Sequence, residues 1–262
     1  MLPRYGLPHL KFPPGEQRKF IQKALEISKL NHKSLAIVCL KKLRVQSLES
    51  ILLGIFGPVK TFNKPKASDE LAEFIGIMLG DGHADKFQIS ITLNSIADAN
   101  YIHFVINLCK GLFKHIPRVL KRKKGNAKVI YYYGVNLVKY LVSLGLIPGN
   151  KVKNQVGVPS WISDNFNYKV ACLRGLMDTD GGVFTHKYKV NNKLYAYLNI
   201  CFTNRSLPLL RFVYQTLKEL GFTPKLKDKV ENKKVWLYNT HEVDKYLSLV
   251  GSSNERLSKH IL

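Results

Sequence analysis

Two aspartates in matching surroundings offer this chain its clearest chemistry. Asp81 closes the apolar stretch LAEFIGIMLGDG, residues 71–82, and Asp180 closes ACLRGLMDTDGG, residues 171–182. In each copy a glycine, Gly76 or Gly175, sits five residues before the Asp, where a small residue lets a second helix come close. Gly82 and Gly181 follow and are expected to stop the helices in the left-handed conformation. A carboxylate in a last helical turn adds negative charge to the negative end of the dipole and to unsatisfied carbonyls. Making that unfavourable choice twice implies that something positive offsets it. Hard divalent ions take oxygen ligands, so two Asp at adjoining helix ends would form a shared site for Mg²⁺, with Mn²⁺ as a substitute. Either copy alone reads better as a turn after an ordinary core helix, and it is the duplication that reverses this in favour of the metal.

The two stretches resemble the motif of the LAGLIDADG homing endonucleases in their single-chain, two-motif form. The first copy reads Phe74-Ile75-Gly76-Ile77-Met78-Leu79-Gly80-Asp81-Gly82 and the second Leu173-Arg174-Gly175-Leu176-Met177-Asp178-Thr179-Asp180-Gly181. The final Asp-Gly is intact in both, whereas the earlier acidic position is kept as Asp178 but is Leu79 in the first copy. The resemblance covers residues 67–262 and implies a double-stranded DNA endonuclease. It implies divalent ions held by Asp81 and Asp180 with the carbonyls of Gly80 and Thr179. It also implies a strand-borne lysine near the metal in each half, which alignment of the halves places at Lys128 and Lys234.

Charge agrees with a polyanionic partner. The chain carries 41 Lys and Arg against 18 Asp and Glu, a net charge of +23, with 45% hydrophobic residues, which describes a folded domain with a basic face. No apolar run approaches the roughly 20 residues of a membrane span, and the start lacks a secretory apolar segment, so no membrane partner and an intracellular location are expected. Cys39, Cys109, Cys172 and Cys201 are far apart in apolar surroundings and read as buried hydrophobes. The chain begins with Met and shows neither a Cys- or Ser-led splicing block nor a terminal His-Asn pair, which disfavours a complete intein.

Strands must carry whatever reads the partner. Gln88, Ser90, Thr92 and Asn94 alternate with Ile89, Ile91 and Leu93, giving one core face and one face of short hydrogen-bonding side chains suited to base edges in a major groove. The second half presents Tyr195, Tyr197, Asn199 and Thr203 against Ala196, Leu198, Ile200 and Phe202. His83, two residues past Asp81 and without a matching histidine in the second copy, reads as a loop or groove histidine in preference to a catalytic one. Helices follow near 96–113 and 207–220, then hairpins over 118–133 and 224–239 whose basic residues, Lys121, Arg122, Lys123, Lys124 and Lys225, Lys227, Lys229, are placed for phosphate contact. The closing helices match as Val138-Lys139-Tyr140-Leu141 and Asp244-Lys245-Tyr246-Leu247.

The expected architecture is therefore α+β, with tandem pseudo-twofold αββαββα repeats, each sheet a saddle over DNA as the resemblance implies. Residues 1–66 would be a helical N-terminal extension that permits a helix-turn-helix, 67–160 the first repeat with its Pro- and Gly-containing linker, and 161–262 the second. The expected function is Mg²⁺-dependent hydrolysis of both strands at a long target, by a monomer. Because the two reading faces differ, that target is asymmetric. A maturase acting on intron RNA and a non-catalytic DNA-binding regulator are the alternatives on the same fold.

Overall fold

Each motif helix has a cap written into its first turn. α1 (Asp69–Leu79) starts at Ser68, whose hydroxyl accepts a hydrogen bond from the Leu71 amide at 3.3 Å, with Asp69 and Glu70 suiting the positive end of the dipole. α5 (Phe166–Asp180) starts at Asn165, whose Oδ1 accepts from the Tyr168 amide at 3.1 Å. Every α1 residue from Leu71 to Leu79 is buried, as expected of a helix at the centre of a core.

In this computed structural model the described residues are 62–122, 125–229 and 232–258. The proposed N-terminal helices and helix-turn-helix lie outside them, as do Cys39, Lys123 and Lys124. After α1 come β1 (Gly82–Ala84), β2 (Gln88–Asn94), α2 (Ala99–Phe113), β3 (Arg118–Lys121), β4 (Ala127–Tyr133) and α3 (Val135–Ser143). The short α4 (Ser160–Ser163) leads into α5, β5 (Gly181–Val190), β6 (Lys193–Thr203), α6 (Leu207–Glu219), β7 (Lys225–Lys229), β8 (Asn232–Leu237), α7 (Thr240–Leu249) and α8 (Glu255–Ser258). The two antiparallel sheets have the same order, β1-β2-β4-β3 and β5-β6-β8-β7, so the αββαββα unit does occur twice in an α+β fold.

The repeats share one core along α1 and α5. Phe74, Ile77, Cys172 and Leu176 from the two helices join Phe113, Ile91 and Phe202 behind the sheets. Cys109, Cys172 and Cys201 are free and buried, as their apolar surroundings indicate.

Two local expectations are corrected. Gly82 and Gly181 are not left-handed: Gly181 has φ −93° and ψ 169°, Gly82 opens β1, and neither is among the glycines with positive φ. Both must nonetheless be glycine, because a Cβ at Gly82 would collide with the Met78 backbone and one at Gly181 with the Met177 carbonyl as the chain turns from helix into strand. The helix expected from residue 96 begins instead at Ala99. Asn94 Oδ1 accepts from the amides of Ile96 and Ala97, while Asp98 Oδ2 accepts from the Asn94 amide, and these bonds hold a turn open.

The hairpins are unequal. Gly82 pairs with Ile91 and Gly181 with Phe202, but β1 runs only three residues whereas β5 and β6 run ten and eleven. Asn191 and Asn192, with φ 48° and 59°, close the longer hairpin in the tight two-residue form that matches strand twist.

Candidate metal centre and nucleic-acid interface

The helix pair closes by reciprocal glycines. A Cβ at Gly76 would strike the Cys172 carbonyl, and one at Gly175 would strike the Glu73 carbonyl, so each backbone occupies the space the other's side chain would need. The same contact continues to the helix ends, where a Cβ at Gly80 would meet the Thr179 hydroxyl and lie 3.5 Å from Asp180 Oδ2.

The carboxylates brought together there are desolvated. Burial first, then the charge of Asp180, push Asp81 up to about 6. Burial likewise raises Asp180, opposed by a hydrogen bond of 2.7 Å from Asn204 Nδ2 to its Oδ2. Among the described residues nothing donates a hydrogen bond to the Asp81 carboxylate, and only Oδ2 of Asp180 is engaged, so the pair keeps free oxygen ligands. No group of three or more His, Cys, Asp or Glu able to hold a metal occurs among the described residues. The available donor set is therefore two carboxylates plus carbonyls, which is the chemistry of a hard cation.

Two cations that sequence reasoning had not assigned to the site stand beside it. Lys151, in the connector after α3, donates to the carbonyls of Met78 at 3.3 Å and Leu79 at 3.0 Å, and also to that of Gly80. Arg256, after α7, donates from Nη2 to Asp178 O at 3.3 Å, Thr179 O at 3.1 Å and Gly181 O at 3.2 Å. Each therefore closes the C-terminal end of its own motif helix, and each lowers the cost of ionising both Asp81 and Asp180. Burial pulls the Lys151 ammonium below its ordinary range, while the two aspartates oppose that pull. Their positions, one connector after the last helix of each repeat, were the available signal.

Those connectors also tie the repeats together. Ser206 Oγ donates to Val156 O at 2.5 Å and Gln155 Oε1 accepts from the Leu207 amide at 3.0 Å, joining the first connector to the start of α6. In the matching place Asn254 Nδ2 donates to Asp98 Oδ1 at 3.0 Å, joining the C-terminal segment to the start of α2. Asp178, retained only in the second motif, accepts from Ser252 Oγ at 2.5 Å and the Ser253 amide at 2.8 Å, and burial raises it to about 7. In the first repeat the buried polar partner is Glu73 instead, paired with Arg174 at 2.7 Å and with Ser253 Oγ at 3.0 Å.

Strand register decides which candidates share a face. Gln88, Ser90 and Thr92 are half-exposed opposite buried Ile89, Ile91 and Leu93. Asn94 is exposed at the strand end, with its Oδ1 engaged in the turn before α2. His83 pairs with Ser90 and shares that face. Tyr195, Tyr197 and Thr203 lie on the corresponding face of β6, but Asn199 is buried and its Oδ1 accepts from the Asn239 amide at 3.2 Å. Lys225 and Lys227 of β7 lie on this face as well, aligned with Trp236 and Lys234, and the backbone of Lys229 continues the alternation.

The equivalence of Lys128 and Lys234 does not hold. Lys234 pairs with Thr203, whose counterpart Thr92 pairs with Val129, while Lys128 pairs with Leu93. Lys128 and Lys121, which pair with each other, therefore fall on the side of buried Leu93, and Arg118, aligned with Tyr131 and Ser90, takes the groove side. Arg122 is exposed just beyond β3. The strongest cations acting on the two aspartates are Lys151 and Arg256 rather than Lys128 or Lys234.

Comparison with known proteins places this arrangement. A family model described as a LAGLIDADG-like domain matches residues 167–256. The chain is 28% identical over 207 residues to a replication factor C small subunit of Methanocaldococcus jannaschii, a match spanning 77% of this chain and 10% of that protein. The chain thus spans only about a tenth of that relative's length. Among solved structures it is similar to I-DmoI in complex with DNA and Mn, at 18% identity and a TM-score of 0.45, covering 70% of this chain and 97% of that one. It is also similar to the I-SmaMI LAGLIDADG homing endonuclease bound to cleaved DNA, at 9% identity and TM-score 0.49, covering 76% and 88%. A third is full-length DUF199/WhiA from Thermatoga maritima, at 16% identity and TM-score 0.46, covering 77% and 67%. The chain is thus similar to a LAGLIDADG-like domain over residues 167–256, and its own sheet order repeats the same αββαββα unit in the first half, with the two motif helices packed through Gly76 and Gly175.

Proposed function

We propose that this protein is a divalent-metal-dependent endonuclease that cuts both strands of a long, asymmetric double-stranded DNA site, as a monomer. The observation that carries the reading is the pair Asp81 and Asp180: desolvated, mutually repelling and, at Asp81, without a described hydrogen-bond donor. Lys151 and Arg256 offset part of that charge, yet burial still leaves both aspartates raised, and a shared divalent cation is the partner that would relieve them. Asp81 and Asp180, with the carbonyls of Gly80 and Thr179, would hold Mg²⁺ or Mn²⁺. When bound, such ions activate water and stabilise the leaving oxygen of a phosphodiester.

The chain's own residues do the rest. Lys151 and Arg256 hold the ends of α1 and α5 and offset the aspartates' charge at the point where a phosphate would enter. Gln88, Ser90, Thr92 and His83 offer polar groups on one groove face, while Thr203, Lys225, Lys227 and Lys234 line the other. The two halves do not match residue for residue, which supports an asymmetric target. Lys121, Arg122 and Lys128 add positive charge at the rim of the first sheet.

A binding-only protein is the second reading, and one observation favours it: the carbonyls of Gly80 and Thr179 are already satisfied by Lys151 and Arg256. The test is incubation of the purified chain with Mg²⁺ or Mn²⁺ and a genomic DNA library, followed by sequencing of new ends, beside Asp81→Asn and Asp180→Asn. The endonuclease reading expects recurrent ends at one extended site that vanish in both variants while DNA affinity remains. Tight binding of DNA, or of a structured intron RNA, without any cleavage would overturn it in favour of the regulator or the maturase.

A further inference from the structure

The groove face of the second sheet differs in chemistry from that of the first. On β5 and β6 it carries Phe184, His186, Tyr188, Tyr195 and Tyr197, and on β8 Trp236. The rings form a nearly continuous surface. Tyr188 stacks on Tyr195 with centroids 5.3 Å apart and planes 16° apart, His186 lies 5.0 Å from Tyr197, and Trp236 stacks on Tyr238 at 5.7 Å and 6°. Phe184 approaches Trp236 at 6.1 Å.

These rings do not fill a core. Phe184, Tyr188 and Tyr195 are 53%, 42% and 44% exposed. From Phe184 to Ala196 both faces of the hairpin are exposed, so it projects as an arm. Holding such a ladder in water needs an occupant that gains from flat apolar faces. Lys193 shares the ring face, Lys187 and Lys189 lie on the opposite face of the same arm, and there is no Asp or Glu between Gly181 and Asn204, so the arm suits a polyanion.

We propose that this face is a stacking platform for unpaired bases of single-stranded nucleic acid. In a duplex the base faces are already stacked on one another and only edges are offered, so ring faces reward bases that have left the stack. A four-stranded antiparallel sheet with aromatics on its open face, flanked by lysines that track phosphates, is a recurrent solution to that problem. The first sheet, with Gln88, Ser90 and Thr92 on the matching face, keeps the edge-reading chemistry. This rests on the reading of the groove as a nucleic-acid surface and concerns the projecting arm of β5 and β6, beyond the duplex-facing Thr203, Lys225, Lys227 and Lys234.

The test uses the full chain without divalent metal, a fluorescein-labelled 15-nucleotide oligothymidylate and a labelled 25-base-pair duplex. Anisotropy should show Tyr188→Leu/Tyr195→Leu weakening the single strand at least tenfold and the duplex less than threefold, as expected where each lost ring had stacked on a base. Tyr188→Phe/Tyr195→Phe, which keeps both rings, should restore single-strand affinity. On the unaltered chain, the oligothymidylate should quench tryptophan and tyrosine emission where inorganic polyphosphate does not. Equal weakening of both ligands would overturn the proposal, as would polyphosphate quenching to the same extent. Dimerisation that the Leu pair abolishes, with no single-strand loss, would show the arm to be an interface between copies and would also overturn it. If the duplex is not bound at all while the single strand is, the endonuclease reading fails and the platform stands.

Discussion

The Lys151 ammonium lies on the carbonyl of Gly80, the backbone oxygen adjacent to Asp81, and also reaches the carbonyls of Met78 and Leu79. One side chain thus both closes α1 and places positive charge beside the carboxylate that ends the motif. Lys151→Met removes both functions. It should lower stability by about 2 kcal/mol, because three part-buried helix-end carbonyls lose their donor. It should also abolish cleavage while leaving DNA affinity within a few-fold. Unaltered cleavage by a folded variant would reduce Lys151 to a helix cap.

The raised Asp81 makes stability and metal affinity run in opposite directions with pH. Its carboxyl titrates near 3.8 when unfolded and near 6 when folded, so between those values the native state holds a proton that the unfolded state lacks. Stability contributed by the neutral form is present below about pH 4 and lost as pH rises through 6. Asp81→Asn should therefore raise stability at pH 7 by on the order of 3 kcal/mol. Metal affinity, read by terbium luminescence, should fall as pH drops below 6, because the ion must displace the proton. Denaturant titrations of the wild type and the variant at pH 4.5 and 7 check the sign: a variant less stable at pH 7 contradicts it.

Gly175 faces the Glu73 carbonyl and Gly76 the Cys172 carbonyl, with no room for a methyl group at either place. Gly175→Ala forces α1 and α5 apart and should cost about 3 kcal/mol, the upper end of overpacking penalties. Thermal unfolding followed by circular dichroism would detect this. The same change at Gly111, where a Cβ meets nothing within 4 Å, should cost nothing and serves as the control.

Lys225 and Lys227 are exposed on the groove face of β7. Each replaced by Ala should flatten the log–log salt dependence of duplex affinity by about 1 and weaken all sequences alike. A change in preferred sequence without a change in slope would mean base contact instead of phosphate contact.

The sequence alone determined the two motif helices, their glycine contact and the repeated strand order, because apolar periodicity and strand alternation are local properties that survive packing, whereas the left-handed caps expected at Gly82 and Gly181 gave way to a direct turn into strand. Ser68 and Asn165 begin their helices as their types require. Cross-strand register and long-range contacts were decided only in the tertiary structure. A single-residue step puts Lys128 on the opposite face from Lys234, although the sequence aligns them. Asn199, polar and correctly phased on β6, is withdrawn because the Asn239 amide, distant in sequence, needs an acceptor. Lys151 and Arg256 look like ordinary connector residues until the chain folds back and brings them to two helix ends rich in unpaired carbonyls. The reason is the same in each case: an unsatisfied backbone group or a desolvated charge arises only on folding, and the residue that answers it can lie anywhere along the chain.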